Sequence, residues 1–402
     1  MHARLRLLVL LACAPLAAPV TTLAAQRIKL PVGLDELEKR VRADSNDAAA
    51  HYNVALAYWN EKRFDDAERE LHTAIAIEPR FAPAHLALAC LPYARTPKLW
   101  DQIFDNEVPK EMEPALEQSD REYRHAFLID PLVDLRIIGA VTPPKPDFLD
   151  VQDFLGEVYA LFFQGFTDCQ EGNYEDCNGR FTALIREING DKHPDRIPNS
   201  VLWYQGLAAA HLKQYDLAAE RFKTLIDRNI DFEKELEKKG EFSRVPLRTN
   251  EYRYTLATIL AAAGKTTDAI TMFHQVLNED LGAYMAHVQL AAIYEAGRDY
   301  VHAVEERNNA VNANPDDPSL LMDLGVTLGK AGLMPQAQTK LAQAAQANPR
   351  DSRVYFWLGL ADMDLGKRDE ARDALTRFVA LAPSRYERQI TMAKDRLARL
   401  QQ

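Results

Sequence analysis

Apolar positions recur along this chain at the spacing of helices. Val54, Ala55 and Tyr58 mark one apolar face, and Phe64, Ala67, Leu71 and Ala74 mark a second before Pro79. Steps of three and four residues predict two amphipathic helices joined by a short turn. The proline ends the second helix because it cannot donate a backbone hydrogen bond. The pattern returns near the C-terminus. Pro315, Pro349 and Pro383 are spaced 34 residues apart. Behind each lies the same order of residues. Leu290-Ala291, Tyr294, Tyr300, Ala303 and Ala310 precede the first. Leu324-Gly325, Gly332, Ala337, Leu341 and Ala344 precede the second. Leu358-Gly359, Gly366, Ala371, Leu375 and Phe378 precede the third.

Three weaker units keep the register. They carry Gln164-Gly165, Gly172, Tyr174, Cys177, Phe181 and Leu184; Gln205-Gly206, Tyr215, Ala218, Phe222 and Leu225; and Leu256-Ala257, Gly264, Ala269, Phe273 and Val276. An eighth unit is interrupted. Its first helix opens at Ala82 and carries His85, Leu88 and Ala89; its second runs from Glu113 to Ile129, which requires an insertion of 18 residues within 91–112. Small residues such as Gly325, Gly359, Ala337 and Ala371 let two backbones approach, while Leu, Tyr and Phe fill the sides of the seam. One hairpin cannot bury its apolar face alone, so neighbours must stack.

These residues resemble the tetratricopeptide repeat family, whose 34-residue unit reads W-x2-L-G-x2-Y…A-x3-F…P. The resemblance implies an all-α fold: a right-handed α-solenoid of about eight helix hairpins with a C-terminal capping helix. The expected layout is a signal peptide at 1–25 and a lead-in helix at 26–47 carrying Leu34, Leu37 and Val41. Repeats one and two follow at 48–133, then a Pro-rich linker and helix start at 134–157. Repeats three and four occupy 158–232, a charged loop 233–249, repeats five to eight 250–385, and the cap 386–402. The cap carries Tyr386, Ile390, Ala393, Leu397 and Leu400 at helical spacing.

Composition changes this picture in two respects. The 402 residues would otherwise suggest two or three globular domains. Glycine is scarce, with 17 residues, which favours helices over tight turns. The net charge of −11 argues against a nucleic-acid partner, which would call for a basic face. Arg4 and Arg6, the apolar run Leu5 to Ala18 and the small-residue end Leu23-Ala24-Ala25 form a tripartite export signal. The run is too short for the roughly 20 residues of a membrane span. Cleavage after Ala25 would leave a net charge of −13. Leu10-Leu11-Ala12-Cys13 also resembles a bacterial lipobox, which would make Cys13 a lipid anchor. The signal style implies a bacterial host and a periplasmic location, with secretion or outer-membrane association as variants.

Export would place the remaining cysteines in an oxidising compartment. The turn between Cys169 and Cys177 would bring both sulfurs to the closed end of a hairpin, as a disulfide or as two small buried thiols. The Cys-x7-Cys spacing also resembles the bridged hairpins of secreted Sel1-like repeat proteins. Cys90 reads as a packed core thiol. Three cysteines without nearby histidines make no zinc site, and no cofactor is implied. Gly264-Lys265-Thr266-Thr267 resembles the end of a phosphate-binding loop, but Ile259 stands where its first glycine should be. His51, His85 and His287 share one repeat slot, which points to helix packing rather than metal binding. No paired acid and base, and no nucleophile motif, marks an enzyme.

In the tetratricopeptide family the inner surface is lined mainly by the first helix of each hairpin. The repeat phase puts Tyr52, Leu86, Phe162, Trp203, Tyr254, Val288, Met322 and Phe356 in one recurrent slot of that surface. Leu56, Phe166, Leu207 and Leu360 continue the stripe, flanked by Trp59, Tyr93 and Met363. Such a stripe serves either as core or as a groove. As a groove it would suit an extended or amphipathic peptide, or be covered by the chain's own segment Val141 to Phe148. The expectation is a non-enzymatic interaction scaffold of the cell envelope with a protein or peptide partner. The alternative is a lipid-anchored structural component of outer-membrane assembly or secretion machinery.

Overall fold

The computed structural model describes residues 28, 30–96, 99, 102, 108–133, 157–241 and 248–400. The export signal with Cys13, most of the insertion, the Pro-rich stretch from residue 134 and the loop 242–247 lie outside the described residues. Among those described, every regular element is helical. A lead-in helix α1 (Leu34–Ala43) precedes hairpin one, formed by α2 (Ala48–Asn60) and α3 (Phe64–Ile77). Hairpin two pairs α4 (Ala82–Arg95) with α5 (Glu113–Ile129). Then come α6 (Glu157–Gln170) and α7 (Tyr174–Glu187), α8 (Asn199–His211) and α9 (Tyr215–Lys239), and α10 (Thr249–Ala262) and α11 (Thr266–Glu279). The last three hairpins are α12 (Tyr284–Ala296) with α13 (Tyr300–Ala313), α14 (Pro318–Lys330) with α15 (Met334–Ala347), and α16 (Ser352–Asp364) with α17 (Arg368–Leu381). Helix α18 (Glu387–Leu400) packs on α17 and buries Ala393. The fold is the all-α array of hairpins with a terminal capping helix that the repeat pattern requires.

The seams explain the repeat residues. A Cβ placed on Gly359 would sit 2.7 Å from Leu375 Cγ, and one on Gly325 2.7 Å from Leu341 Cγ. Gly165 and Gly206 face Phe181 and Phe222 in the same way. Leu341, Leu375, Phe181, Phe222 and Phe273 are all buried, and each contributes about 1.5–3 kcal/mol. The turn between the two helices needs one left-handed residue. Gly172, Gly264, Gly332 and Gly366 supply it in four hairpins, while Lys62, Lys213 and Arg298 adopt it in three others at φ of 60°, 60° and 61°. Lys265 therefore follows a turn glycine and pairs with Asp216 at 2.6 Å, with no phosphate loop formed.

The histidine slot is a structural couple. His51 Nδ1 meets Glu70 Oε2 at 2.6 Å, and His287 Nδ1 meets Glu306 Oε2 at 2.6 Å. Both partners lie 19 residues downstream, on the second helix of the hairpin. His85 meets Glu122 at 2.6 Å across 37 residues, the same step lengthened by an insertion of 18. Ser119 Oγ also donates to the Ala89 carbonyl oxygen at 2.5 Å. These contacts hold α5 as the second helix of hairpin two. Helix α9 continues to Lys239 and stops at Gly240, φ 66°, so the charge-dense segment 233–249 begins as an extension of the helix.

The chain forms two compact units, each discontinuous in sequence. The first holds His85–Glu279 together with the described residue Ile28; the second holds Leu30–Ala84 and Asp280–Gln402. Inside the first, α5 docks on α10. Tyr254 Oη donates to the Leu128 carbonyl oxygen at 2.6 Å, and Arg248 Nη2 donates to Tyr123 Oη at 3.0 Å. Inside the second, hairpin one and its flanking loops meet the last two hairpins and the turn before the cap.

Candidate functional site

The structure places the proposed groove residues mostly in the core. Phe162 and Tyr254 are each 1% exposed, and Tyr52, Trp59, Phe166, Met322 and Phe356 are also buried. Trp203 alone of the eight is half-buried, with its ring 4.8 Å from that of Tyr204. The stripe turns inward because its aromatics reach the second helix of their own hairpin. Tyr254 meets Phe273 at 5.8 Å between ring centroids, Phe162 meets Phe181 at 6.2 Å, and Phe356 meets Phe378 at 5.1 Å. Tyr52 is edge-on to Phe81, Trp59 to Phe64 and Phe166 to Tyr204. Each stripe residue lies one turn from a seam residue, and a long aromatic there fills the seam. What stays partly open on the same helix of the last hairpin is Trp357, 38% exposed, with Leu360 and Met363 half-buried.

Cys169 and Cys177 are joined by a disulfide with their Cα atoms 5.1 Å apart. It ties the end of α6 to the first turn of α7. Cys90 is a free, buried thiol, and burial alone pushes its pKa up to about 12. It is therefore a poor nucleophile. Among the described residues no group of three His, Cys, Asp or Glu side chains is arranged to hold a metal ion. No helix among them is long and apolar enough to cross a membrane.

The second unit holds a polar surface that the repeat pattern did not disclose. Arg80, just past the Pro79 that ends hairpin one, reaches the start of α14. Its guanidinium lies 2.7 Å from Asp323 Oδ2 and 3.8 Å from Asp317 Oδ2, and Nη2 donates to the Ser319 carbonyl oxygen at 3.3 Å. Burial works against this charge, but the Asp323 and Asp317 carboxylates outweigh it and hold the guanidinium above its ordinary pKa. Two further arginines cross the same interface. Arg353 grips Asp351 at 2.7 Å and approaches Glu78 at 3.8 Å, while Arg385 meets Asp47 and Glu78 at 2.8 Å each. Asn46 donates to the Leu381 carbonyl oxygen at 2.7 Å and Asn348 to that of Ala76 at 3.1 Å. The available signal was an arginine just after the repeat-ending proline, in Pro79-Arg80, Pro349-Arg350 and Pro383-Ser384-Arg385.

Stacked hairpins with this seam chemistry define a helical-repeat protein. Family models described as tetratricopeptide repeat match residues 48–81, 254–318 and 322–386. The chain is a tetratricopeptide repeat protein, and its repeats support a protein–protein interaction scaffold. It is 28% identical over 154 residues to the human protein O-mannosyl-transferase TMTC1, a stretch that is 37% of this chain and 17% of that protein. The chain thus spans about a sixth of the length of that curated relative. Among solved structures, the C-terminal part of a TPR repeat-containing protein from Cytophaga hutchinsonii aligns at 13% identity and a TM-score of 0.45, over 60% of this chain and 87% of that one. MamA from Desulfovibrio magneticus aligns at 20% identity and a TM-score of 0.32, over 40% of this chain and 94% of that one.

Proposed function

We propose that the chain is a non-enzymatic scaffold of the bacterial cell envelope that binds an extended or amphipathic segment of a partner protein. The observation that carries this reading is the recurrence of one hairpin register between Ala48 and Leu381, with the same kinds of seam residue in each unit. The binding surface is the part of the first-helix stripe that remains accessible, Trp203 in one unit and Trp357, Leu360 and Met363 in the other. Export is supported by the tripartite N-terminus and by the Cys169–Cys177 disulfide, since such bonds persist in oxidising compartments.

The test is crosslinking capture from the envelope fraction with the wild-type chain and a Trp203→Ala/Trp357→Ala variant. Loss of the captured protein in the folded variant is expected; undiminished capture would count against these residues. Mass spectrometry of the mature N-terminus separates two placements. A chain beginning at Gln26 is the expected result, whereas a diacylated Cys13 would make it a lipid-anchored component.

A further inference from the structure

In the second unit hairpin one is joined to the C-terminal hairpins differently from the way hairpins six, seven and eight are joined to one another. Those three pack helix against helix. Here no helix of hairpin one packs along a helix of α14 to α17 among the described residues; the meeting is through loops and side-chain tips. Its members are Arg80, Arg353 and Arg385 with Asp317, Asp323, Glu78 and Asp47, separated by up to 338 residues in sequence. Charge pairs contribute less than apolar burial, and the more exposed ones here, Arg385 with Asp47 and Glu78, weaken with salt more than the buried Arg80 pairs do. An interface built from them opens well before the hairpin seams do.

The α14 end of this interface has the chemistry of an arginine socket. Two carboxylates and a backbone carbonyl face the Arg80 guanidinium, and one of them, Asp323, also accepts from Arg307 Nη1 at 3.3 Å. Two buried atoms beside it, Asp317 Oδ2 and Ser319 Oγ, have no hydrogen-bond partner, so the resident Arg80 leaves acceptor capacity unused. We infer that the start of α14 is a recognition site for an arginine-bearing extended segment, and that Glu78-Pro79-Arg80-Phe81 of this chain is its resident occupant. A partner segment presenting an arginine in an extended backbone competes for the same carboxylates and releases hairpin one. The competition rests on the scaffold role proposed above; the opening of the clasp does not.

Two measurements on the full chain test this. In the first, hydrogen exchange is followed at residues 44–47 and 76–80 while salt is raised from low to molar concentration. Exchange there is expected to accelerate at least about tenfold, with the α16/α17 seam unchanged. Equal response of both regions, or no response, overturns the clasp. In the second, a fluorescent peptide with the sequence of residues 76–84 is titrated into the wild type and into Arg80→Glu. The socket emptied by Arg80→Glu is expected to bind at least about tenfold more tightly than the self-occupied wild type, and Asp323→Asn in that background to abolish the gain. A peptide carrying glutamate in place of arginine should not bind. If Arg80→Glu disturbs the fold, Arg80→Ala at the same low salt gives the same comparison. No gain in any of these, with the salt response intact, overturns the socket while leaving the clasp. Failure of both, with capture of a partner unaffected, rejects this inference without touching the scaffold reading.

Discussion

At the scale of single residues, the repeat is a set of steric demands, and two of them make opposite predictions. Gly359 cannot carry a side chain without meeting Leu375 at 2.7 Å and 2.8 Å. Gly359→Ala should therefore destabilise the chain by about 1–3 kcal/mol in denaturant titration. Gly179, also in a helix, has nothing within 4 Å of the point where a Cβ would stand, so Gly179→Ala should be neutral or stabilising by up to about 1 kcal/mol. Arg298 is held at φ 61° by the turn, a conformation costing a non-glycine residue about 1–2 kcal/mol. Arg298→Gly should recover part of that and raise the unfolding midpoint. Positions such as Gly359 were legible in the sequence because the demand is local and repeats every hairpin. The burial of Tyr52, Tyr254 and Phe356 was not. Whether an aromatic one turn from the seam faces inward depends on the size of its neighbour across the hairpin, and Phe273 or Phe378 is large enough to meet it.

At the scale of elements, hairpins six and seven are locked by a polar network as well as by apolar packing. Glu295 on α12 accepts from Lys330 at 2.5 Å, from Arg307 at 3.0 Å and from Thr327 at 2.5 Å. Burial raises the pKa of its carboxyl, but the bonds from Lys330, Thr327 and Arg307 outweigh that and hold it below the ordinary 4.5. A depressed carboxylate contributes stability that is present above its unfolded pKa and lost as pH falls through the folded one. Stability of the second unit should thus decline below pH 4.5, and Glu295→Gln should flatten that decline in denaturant titrations across the acid range. Arg307→Met at neutral pH should cost about 1–3 kcal/mol, because Glu295 keeps Lys330 and Thr327 and Asp323 keeps Arg80 while each loses its hydrogen bond to Arg307. In hairpin three the disulfide closes a short loop with a sequence separation of 8. Cys169→Ala should lower stability by about 2–3 kcal/mol relative to the oxidised wild type, and by little relative to the reduced one. The hairpins, their turns and the displaced second helix of hairpin two were readable from periodicity, because each depends on residues a few tens of positions apart.

At the scale of the whole molecule, sequence order and spatial partnership part company. Hairpin one belongs with hairpins six to eight, and hairpin two belongs with hairpins three to five. No periodicity can disclose this, because the contacts join loops about 240 to 340 residues apart through single side chains. A repeat array in which each hairpin touched only its neighbours would tolerate removal of the first one with local effects at that end. The clasp makes a different prediction. Deleting residues 30–81, so that Lys29 precedes Ala82, removes Arg80 from the α14 socket and Glu78 from Arg353 and Arg385. Asp317 then loses its guanidinium, Asp323 keeps only Arg307 at 3.3 Å, and the start of α14 carries more uncompensated negative charge. Amide protection in α14 and α16 should fall by at least about tenfold, although their sequence neighbours are intact. Protection in α7 to α9, whose unit contains none of the deleted hairpin, should stay at the wild-type level. Hydrogen exchange with peptide-level resolution separates the outcomes: retained protection in α14 and α16 would mean that the C-terminal hairpins stand without the first one.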